Sequence, residues 1–358
     1  MAAKIENARP GRAAESNRSG RYEGRQREAF DDGWGTSDEE APPLRTTVSR
    51  DTSRSVIATN NSPDIGFDRS INPYRGCEHG CIYCFARPTH AFLGLSPGLD
   101  FESRLFVKPD APAILERELQ RKGYKCQPIA MGTNTDPYQP IERRLEITRE
   151  ILKVLSRYNH PVTIVTKSNL IVRDIDILAG MAERGLAKAA VSVTSLDRRL
   201  ARRMEPRAAT PARRLEAIKA LAGAGIPAAV MVAPLIPSLN DPELESILEQ
   251  AARNGAREAG YILLRLPLEL KDLWREWLDR HYPDRASRIM RHIRDARGGQ
   301  EYDAQYGRRM VGRGPYAELL GRRYHLTCKR LGLNERRLDL DVTKFAVPRD
   351  ATDQLSLF

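Results

Sequence analysis

The chain has 358 residues, 41% of them hydrophobic, and its 58 Lys and Arg against 47 Asp and Glu give a formal net charge of +11. This length and apolar content suffice for one large domain or two smaller ones, and the positive charge favours anionic partners such as nucleic acid. The sequence has no run of about 18 apolar residues and no secretory leader, so we expect a cytoplasmic protein without membrane contact. Five cysteines, an odd number, argue against a disulfide framework.

The first 45 residues are polar and rich in Arg, Gly, Ser and Glu, with no sustained apolar period. Such a segment buries too little apolar surface to offset the entropy lost on ordering, so residues 1–45 are predicted to be a disordered tail. Residues 46–282 are expected to form the core with a lead-in segment. Residues 283–358 are predicted to be a helical, Arg-rich extension and tail.

Short apolar runs alternate with amphipathic stretches across the core. The apolar runs predict six strands, at residues 71–75, 128–132, 162–166, 188–194, 228–233 and 261–266. The stretches between and after them predict helices at residues 112–122, 142–158, 175–184, 211–222, 242–254 and 268–281, the fourth with Thr210 as its N-cap. Six strand-then-helix units in succession indicate an α/β fold with a parallel sheet, either an open doubly wound sheet or a closed or partial barrel.

Three of the five cysteines, Cys77, Cys81 and Cys84, lie within eight positions directly after the first predicted strand. Three thiolates at this spacing can hold a soft metal centre from a single loop, as zinc or as an iron–sulfur cluster. A structural zinc site normally closes with four ligands, and no second Cys or His pair at zinc spacing follows. Three protein ligands on a four-iron cluster would leave one iron open to another molecule.

The CxxxCxxC run, with Tyr83 just before the third cysteine, resembles the signature of the radical S-adenosylmethionine (SAM) superfamily. The resemblance implies a partial (β/α)6 TIM-like barrel and a [4Fe–4S] cluster bound by Cys77, Cys81 and Cys84. It also implies that the open iron binds SAM, whose reductive cleavage releases a 5′-deoxyadenosyl radical. An external electron donor such as ferredoxin or flavodoxin would then be a partner of the protein, which we expect to be a monomer.

The segments TDPYQPIE, VTKS and VAPLIP, and an EP dipeptide after the fourth strand, resemble the branch of spore photoproduct lyase and its "DNA repair photolyase" relatives. The resemblance covers about residues 71 to 266. It implies that Lys167 contacts the methionyl carboxylate of SAM and that Ser192 contacts the cofactor. The other candidate cofactor-binding residues are Thr133, Asn134 and Tyr83.

Two positions depart from the lyase. Gly132 stands where the lyase carries its hydrogen-donating Cys, and Phe85 stands where it carries a Tyr. A Phe has no hydroxyl through which a hydrogen atom could pass, so we do not expect activity on the spore photoproduct. The catalytic residues stay unassigned, and the substrate is unidentified, with nucleic acid as a candidate.

Two other readings of the cysteine loop remain open. It could be a zinc knuckle on a nucleic-acid-binding protein without catalysis, or it could hold an iron–sulfur redox centre that does not use SAM. Outside the loop, Cys126 and Cys328 have no assigned role. An arginine recurs at every third position from 285 to 297, which predicts either a continuous basic surface or a solvated face over a small apolar core.

Overall fold

The computed structural model of the protein describes residues 11–24, 44–336 and 339–348. Its ten strands, in chain order, are β1 Thr47–Arg50, β2 Ile57–Thr59, β3 Arg69–Ile71, β4 Tyr74–Arg75, β5 Arg104–Val107, β6 Ile129–Met131, β7 Val162–Thr166, β8 Ala187–Ser192, β9 Ala228–Leu235 and β10 Glu258–Leu263. Seven of them form the main sheet, in the order β10-β9-β8-β7-β6-β3-β2. Only β2 runs antiparallel to its neighbour, and the other six strands of the sheet are parallel.

Helices follow the parallel strands in the way that the alternating pattern predicts. The eleven α-helices described are α1 Leu99–Ser103, α2 Ala111–Leu119, α3 Glu142–Leu145, α4 Ile147–Arg157, α5 Ile175–Glu183, α6 Arg198–Met204, α7 Pro211–Gly223, α8 Leu244–Arg253, α9 Leu270–His281, α10 Pro283–Asp295 and α11 Pro315–Leu331. This arrangement is a partial (β/α)6 barrel, and it confirms the expected fold. None of the described helices is long and apolar enough to cross a membrane.

The strands alternate between the two faces of the sheet. In β7, Val162, Ile164 and Thr166 are buried, whereas Thr163 and Val165 are half-buried. The buried positions of successive strands belong to one large apolar core with the helices. The end of the barrel where the parallel strands finish is called the mouth below, and the end where they begin is called the floor.

Two elements predicted as continuous are divided in the structure. The first strand splits into β3 and β4 because Pro73 lies between them and has no N–H to continue the ladder. β4 then pairs with β5, in a small separate sheet of order β1-β5-β4. The helix predicted over residues 142–158 is broken at Glu146, which has φ of 51°, and the Glu142 side chain accepts the amide N–H of Thr148 across the break.

Residues 11–24 differ from the predicted disordered tail. Ala13 and Ala14 are 2% exposed, and both donate their backbone N–H groups to the buried carboxylate of Glu102. Glu15 contacts His281 at 3.1 Å. The segment is held by polar bonds to distant side chains rather than by an apolar stripe, and composition cannot reveal such bonds. Residues 1–10 and 25–43 of the predicted tail lie outside the described residues.

The C-terminal extension covers the free edge of the barrel. The Tyr324 hydroxyl of α11 donates to the Ala259 carbonyl of the edge strand β10, and Leu263 donates to the carbonyl of Met310. Further along the chain, Phe345 packs between Tyr124 and His160 on the floor. The extension is therefore attached to the barrel at both its edge and its floor.

Candidate functional site at the barrel mouth

The loop that carries the three cysteines leaves the small sheet directly after β4. Two glycines shape it, Gly76 with φ of +76° and Gly80 with φ of +65°. A Cβ on Gly76 would lie 2.9 Å from the Phe101 carbonyl oxygen, and one on Gly80 would lie 2.6 Å from the Glu102 carboxylate. Only glycine suits this combination of conformation and close approach. The loop is thus pressed against α1.

The Arg87 side chain holds the cysteine loop by hydrogen bonds to its backbone. It is fully buried and donates to the carbonyls of Gly80 at 2.9 Å and Cys81 at 2.8 Å, and to those of Pro97 and Gly98. Its charge is matched by Glu102, which is also fully buried. The carbonyls of this irregular loop belong to no strand ladder, and one guanidinium binds several of them at once.

Gln139 joins the cysteine loop to the segment after β6. It is fully buried; its Oε1 accepts the Glu78 N–H at 2.8 Å, and its Nε2 donates to the Gly76 carbonyl at 3.3 Å. The backbone of Ile82 is held from another side, by the carbonyl of Met204 at the end of α6. Three separate segments therefore position the loop.

The three thiols of the loop are free, and two of them are buried. Cys77 and Cys81 are 6% and 8% exposed, and Cys84 is half-buried. Burial raises the pKa of all three thiols, that of Cys81 to about 12. The charges of the other two thiols raise the pKa of Cys77 further. Among the described residues, no group of three His, Cys, Asp or Glu side chains is placed so that it could hold one metal ion. Three free thiols on one loop are nevertheless the donor chemistry that an iron–sulfur cluster requires, and a bound cluster would hold them as thiolates.

Asp136 connects the ends of β6 and β7 below the loop. Its carboxylate accepts the Thr166 hydroxyl at 2.6 Å and the Lys167 N–H at 2.7 Å, and lies 3.3 Å from Nδ1 of His79. Burial alone would raise the pKa of Asp136, but the neighbouring His79 and these hydrogen bonds lower it to about 2. The carboxylate fixes the backbone from which the Lys167 side chain starts.

Tyr83 and Glu205 form a second buried group beside the thiols. The Tyr83 hydroxyl donates to Glu205, Thr194 donates to the same carboxylate at 2.7 Å, and Arg214 pairs with it from α7. Burial would raise the pKa of Glu205, yet Arg214 and Lys167 lower it to about 2. The Tyr83 hydroxyl is therefore already bonded to Glu205 within the protein.

Lys167 lies at the end of β7 with its ammonium 5.7 Å from the centre of the Tyr83 ring. Its charge lowers the pKa of Cys81 and Cys84, although burial raises both more strongly. The part of the chain that the structure describes offers Lys167 no ion pair. It is a cation at the mouth, next to the thiols, and without a carboxylate of its own.

The other predicted cofactor-binding residues lie at strand ends around the same mouth. Ser192 is the last residue of β8, is 2% exposed, and accepts the Arg214 guanidinium through its carbonyl. Thr133 follows β6 and bonds to the Asn72 side chain at 3.1 Å, and the same side chain accepts the amide of the exposed Asn134. Their contacts with SAM stay predictions.

The structure explains one departure from the lyase. Gly132 has φ of +90°, and a Cβ there would lie 1.9 Å from the carbonyl oxygen of Val165. No Cys can therefore occupy position 132 in this backbone. Phe85, at the other departure, packs under the guanidinium of Arg265 at 4.8 Å. The two remaining cysteines are elsewhere, Cys126 before β6 at the floor and Cys328 within α11.

The sequence did not reveal the residues that hold the loop. Arg87, Glu102, Gln139 and Arg214 carry no local signature, because each acts on a partner brought near by the fold. A partial signal existed in the segments TDPYQPIE and MEPR, which contain Gln139 and Glu205 after predicted strands. That all five of these polar side chains are buried is visible only in three dimensions.

Comparisons with known proteins identify the family of the chain. The family model of the radical SAM superfamily matches residues 71–251, about half of the chain. An uncharacterised protein of Mycobacterium tuberculosis is 38% identical over 230 residues, which are 64% of this chain and 68% of that one. An uncharacterised protein of Methanocaldococcus jannaschii is 30% identical over 173 residues, which are 48% of this chain and 62% of that one.

Solved structures of spore photoproduct lyase share the fold. The lyase complexed with dinucleoside spore photoproduct has a TM-score of 0.55 and 17% identity, with 80% of each chain covered. A point mutant of the lyase, with Phe in place of a Tyr, gives the same TM-score, identity and coverage. This likeness establishes the architecture, and the matched family model spans the cysteine loop and the strand ends around it. The chain belongs to the radical SAM superfamily.

Proposed function

We propose that the protein is a radical SAM enzyme that binds a [4Fe–4S] cluster on Cys77, Cys81 and Cys84 and cleaves SAM reductively. The observation that carries the proposal is the loop itself, with three free thiols held at the mouth by a buried framework. When bound, the reduced cluster supplies the electron that cleaves SAM and so yields a 5′-deoxyadenosyl radical.

Lys167 fits the role of holding the carboxylate of SAM. The ammonium is close to the thiols and has no ion-pair partner in the described chain, while Asp136 fixes its backbone. A carboxylate ligand would supply the missing partner through a charge-assisted hydrogen bond. Glu205, the carboxylate whose pKa Lys167 helps to lower, is already paired with Arg214, so the Lys167 ammonium is left available for the carboxylate of SAM.

The reaction is expected to differ from that of spore photoproduct lyase. The backbone excludes a thiol at position 132, and position 85 carries a ring without a hydroxyl. Of the five cysteines, only the three in the loop lie at the mouth. Any hydrogen atom that the substrate gains at the end of the reaction must therefore come from a group other than a free cysteine at the mouth.

Anaerobic reconstitution tests the proposal. Protein supplied with iron and sulfide should bind about four irons with matching acid-labile sulfide, and adding SAM and a reductant should release 5′-deoxyadenosine. Cys84→Ala should lose both the cluster and the product, whereas Cys328→Ala, a thiol within α11, should keep both. A single bound zinc without sulfide would favour the zinc knuckle instead. A complete cluster that yields no 5′-deoxyadenosine with SAM would favour the redox centre.

A further inference from the structure

A strongly basic surface borders the mouth on the side of α6. Four arginines on this seven-residue helix are exposed, and two more exposed arginines lie at the start of α10. We call them the mouth arginines: Arg198, Arg199, Arg202, Arg203, Arg285 and Arg288. None of the six forms an ion pair within the described ranges. Nearby, Asp197 and Asp284 are the exposed carboxylates of the same two segments, so positive charge dominates.

Tyr282 joins the two helices into one surface. The Arg203 guanidinium lies 5.4 Å from the centre of its ring and that of Arg285 lies 5.9 Å from it. Arg285 also donates to the Ser238 carbonyl. These contacts with uncharged groups hold Arg203 and Arg285 in place without cancelling their charge. Part of the entropy cost of fixing these two side chains is therefore already met before any ligand binds.

The basic surface is continuous with the proposed active site. The carbonyl of Met204, the last residue of α6, accepts the Ile82 N–H of the cysteine loop at 2.9 Å, and the next residue, Glu205, bonds to Tyr83. On its other side, the carbonyl of Arg203 accepts the indole N–H of Trp277 at 3.1 Å. A molecule bound along the mouth arginines would therefore lie beside the cysteine loop at the mouth.

The expectation of a continuous basic stripe along α10 is correct only in part. Arg297 is 1% exposed and donates to the carbonyls of Leu263 and Leu264, and Arg294 contacts Glu301 at 3.5 Å. These two arginines serve the fold. Arg291 is exposed, so the basic surface covers the first half of α10 and extends from its start onto α6, towards the mouth.

From these observations we propose that the mouth arginines bind the phosphate backbone of a nucleic acid and present it to the barrel mouth. Guanidinium groups suit phosphates because their fixed N–H fork matches two phosphate oxygens, and a row of them suits a repeating polyanion. An acidic protein fits less well, because protein interfaces have an apolar centre. None of the large exposed hydrophobic side chains in the described chain lies on α6 or α10.

The inference rests on the proposed function, since it assigns that enzyme a substrate class. The test is direct binding, by fluorescence anisotropy of a labelled single-stranded DNA of about 20 nucleotides, its duplex and the equivalent RNA. The protein is reconstituted but oxidised and free of SAM, so binding is measured without turnover. Failure to form 5′-deoxyadenosine and failure to bind nucleic acid are then separate results.

Wild-type protein should bind at least one of the three probes, with an affinity that falls steeply between about 50 and 200 mM salt. Replacing Arg198, Arg199, Arg202 and Arg203 together by Gln should weaken binding about tenfold or more at about 100 mM salt. It should also reduce the slope of log affinity against log salt by about 2 to 3 for a single strand. The same four positions changed to Lys should restore most of the slope, which excludes misfolding as the cause.

A matched control removes the same number of charges elsewhere. Arg117, Arg121, Lys122 and Arg253 are exposed and form no ion pair within the described ranges. Their replacement by Gln should change affinity less than about twofold. An equal loss in both Gln variants would overturn the proposal, as would the absence of binding to every probe at about 50 mM salt. Binding of an acidic flavodoxin by the mouth arginines, with no nucleic acid bound, would also overturn it.

Discussion

The two ends of the barrel are built from different interactions. At the mouth, the Arg87–Glu102 and Arg214–Glu205 pairs are buried almost completely, with side-chain exposures of 0%/0% and 2%/0%. At the floor, aromatic rings pack around His160, and Lys188–Glu258 is a partly exposed pair. Both ends close the same barrel, yet these fully buried ion pairs lie at the mouth.

The difference follows from what each end must hold. Buried ion pairs are costly to desolvate and contribute only when hydrogen bonds satisfy their remaining atoms. At the mouth Arg87 meets this condition by binding the carbonyls of an irregular loop that has no ladder of its own. The floor consists of short turns and packed rings, which need no such support. Equivalent substitutions should therefore destabilise the protein more at the mouth than at the floor.

The largest expected difference is between two glycines. Gly132 at the mouth and Gly123 at the floor have similar φ values, +90° and +82°, but a Cβ would meet the Val165 oxygen at 1.9 Å in the first case and nothing within 4 Å in the second. Gly123→Ala should cost about 1–2 kcal/mol for its left-handed backbone. Gly132→Ala should cost more than about 4 kcal/mol or prevent folding. Urea unfolding measures both, and equal costs would remove the distinction between the two ends.

A charge deletion probes the same contrast. Arg87→Met leaves the buried Glu102 without its ion-pair partner, which should cost about 3–5 kcal/mol of unfolding free energy. Arg157→Met removes the exposed partner of Glu116, and there the cost should stay below about 1 kcal/mol. The unfolding free energies are compared in urea at one pH. A cost below about 1 kcal/mol for Arg87→Met would show that the buried pair does not hold the loop.

Acid should destabilise the floor through His160. Burial lowers the pKa of this imidazole to about 4, from an ordinary value of 6.5. The unfolded chain therefore binds a proton that the folded protein excludes, and the stabilisation present above pH 6.5 is lost as the pH falls towards 4. The shift corresponds to about 3 kcal/mol.

His90 beside the mouth has its pKa lowered to about 4 in the same way, so it contributes over the same pH range. His160→Gln should therefore reduce, but not abolish, the fall in unfolding free energy between about pH 7 and 4.5. Urea unfolding of the wild type and the variant at the two pH values gives the comparison. An unchanged fall in the variant would mean that His160 is protonated in the folded protein.

The sequence predicts the elements that follow a repeating hydrophobic pattern. Alternating apolar runs located the barrel strands to within a few residues, and β7 matches its predicted range at residues 162–166. Parallel strands end on the same side, so the mouth could be expected to gather Lys167 and Ser192 near the cysteine loop. The spacing of Cys77, Cys81 and Cys84 alone predicted a loop that can hold a soft metal centre.

The buried side chains that position the cysteine loop could not be predicted from a repeating pattern. Glu102 accepts the amides of Ala13 and Ala14, which are 89 and 88 positions away, and no local pattern marks such a contact. The fit of Gly132 against the Val165 carbonyl depends on how two strands end beside each other. These features arise from tertiary packing, and the second of them excludes at this mouth the thiol that the lyase carries.

The smallest expected effect on stability concerns Lys167, which tests what the framework at the mouth is for. Lys167→Ala removes a side-chain charge that has no ion-pair partner in the described chain, and the Lys167 backbone groups that bond to Asp136 and Ala209 remain. Stability should therefore change little. The affinity for SAM should fall about 10- to 100-fold, because a charge-assisted hydrogen bond contributes about 1.5–3 kcal/mol.

Equilibrium dialysis of SAM against the oxidised, reconstituted protein measures this loss of affinity. Lys122→Ala, an exposed lysine at the floor, is the matched control and should leave SAM affinity unchanged. If Lys167→Ala instead bound SAM as tightly as the wild type, its ammonium would not hold the carboxylate. If it bound SAM weakly and was also destabilised like Arg87→Met, Lys167 would belong to the framework that supports the loop rather than to the ligand site.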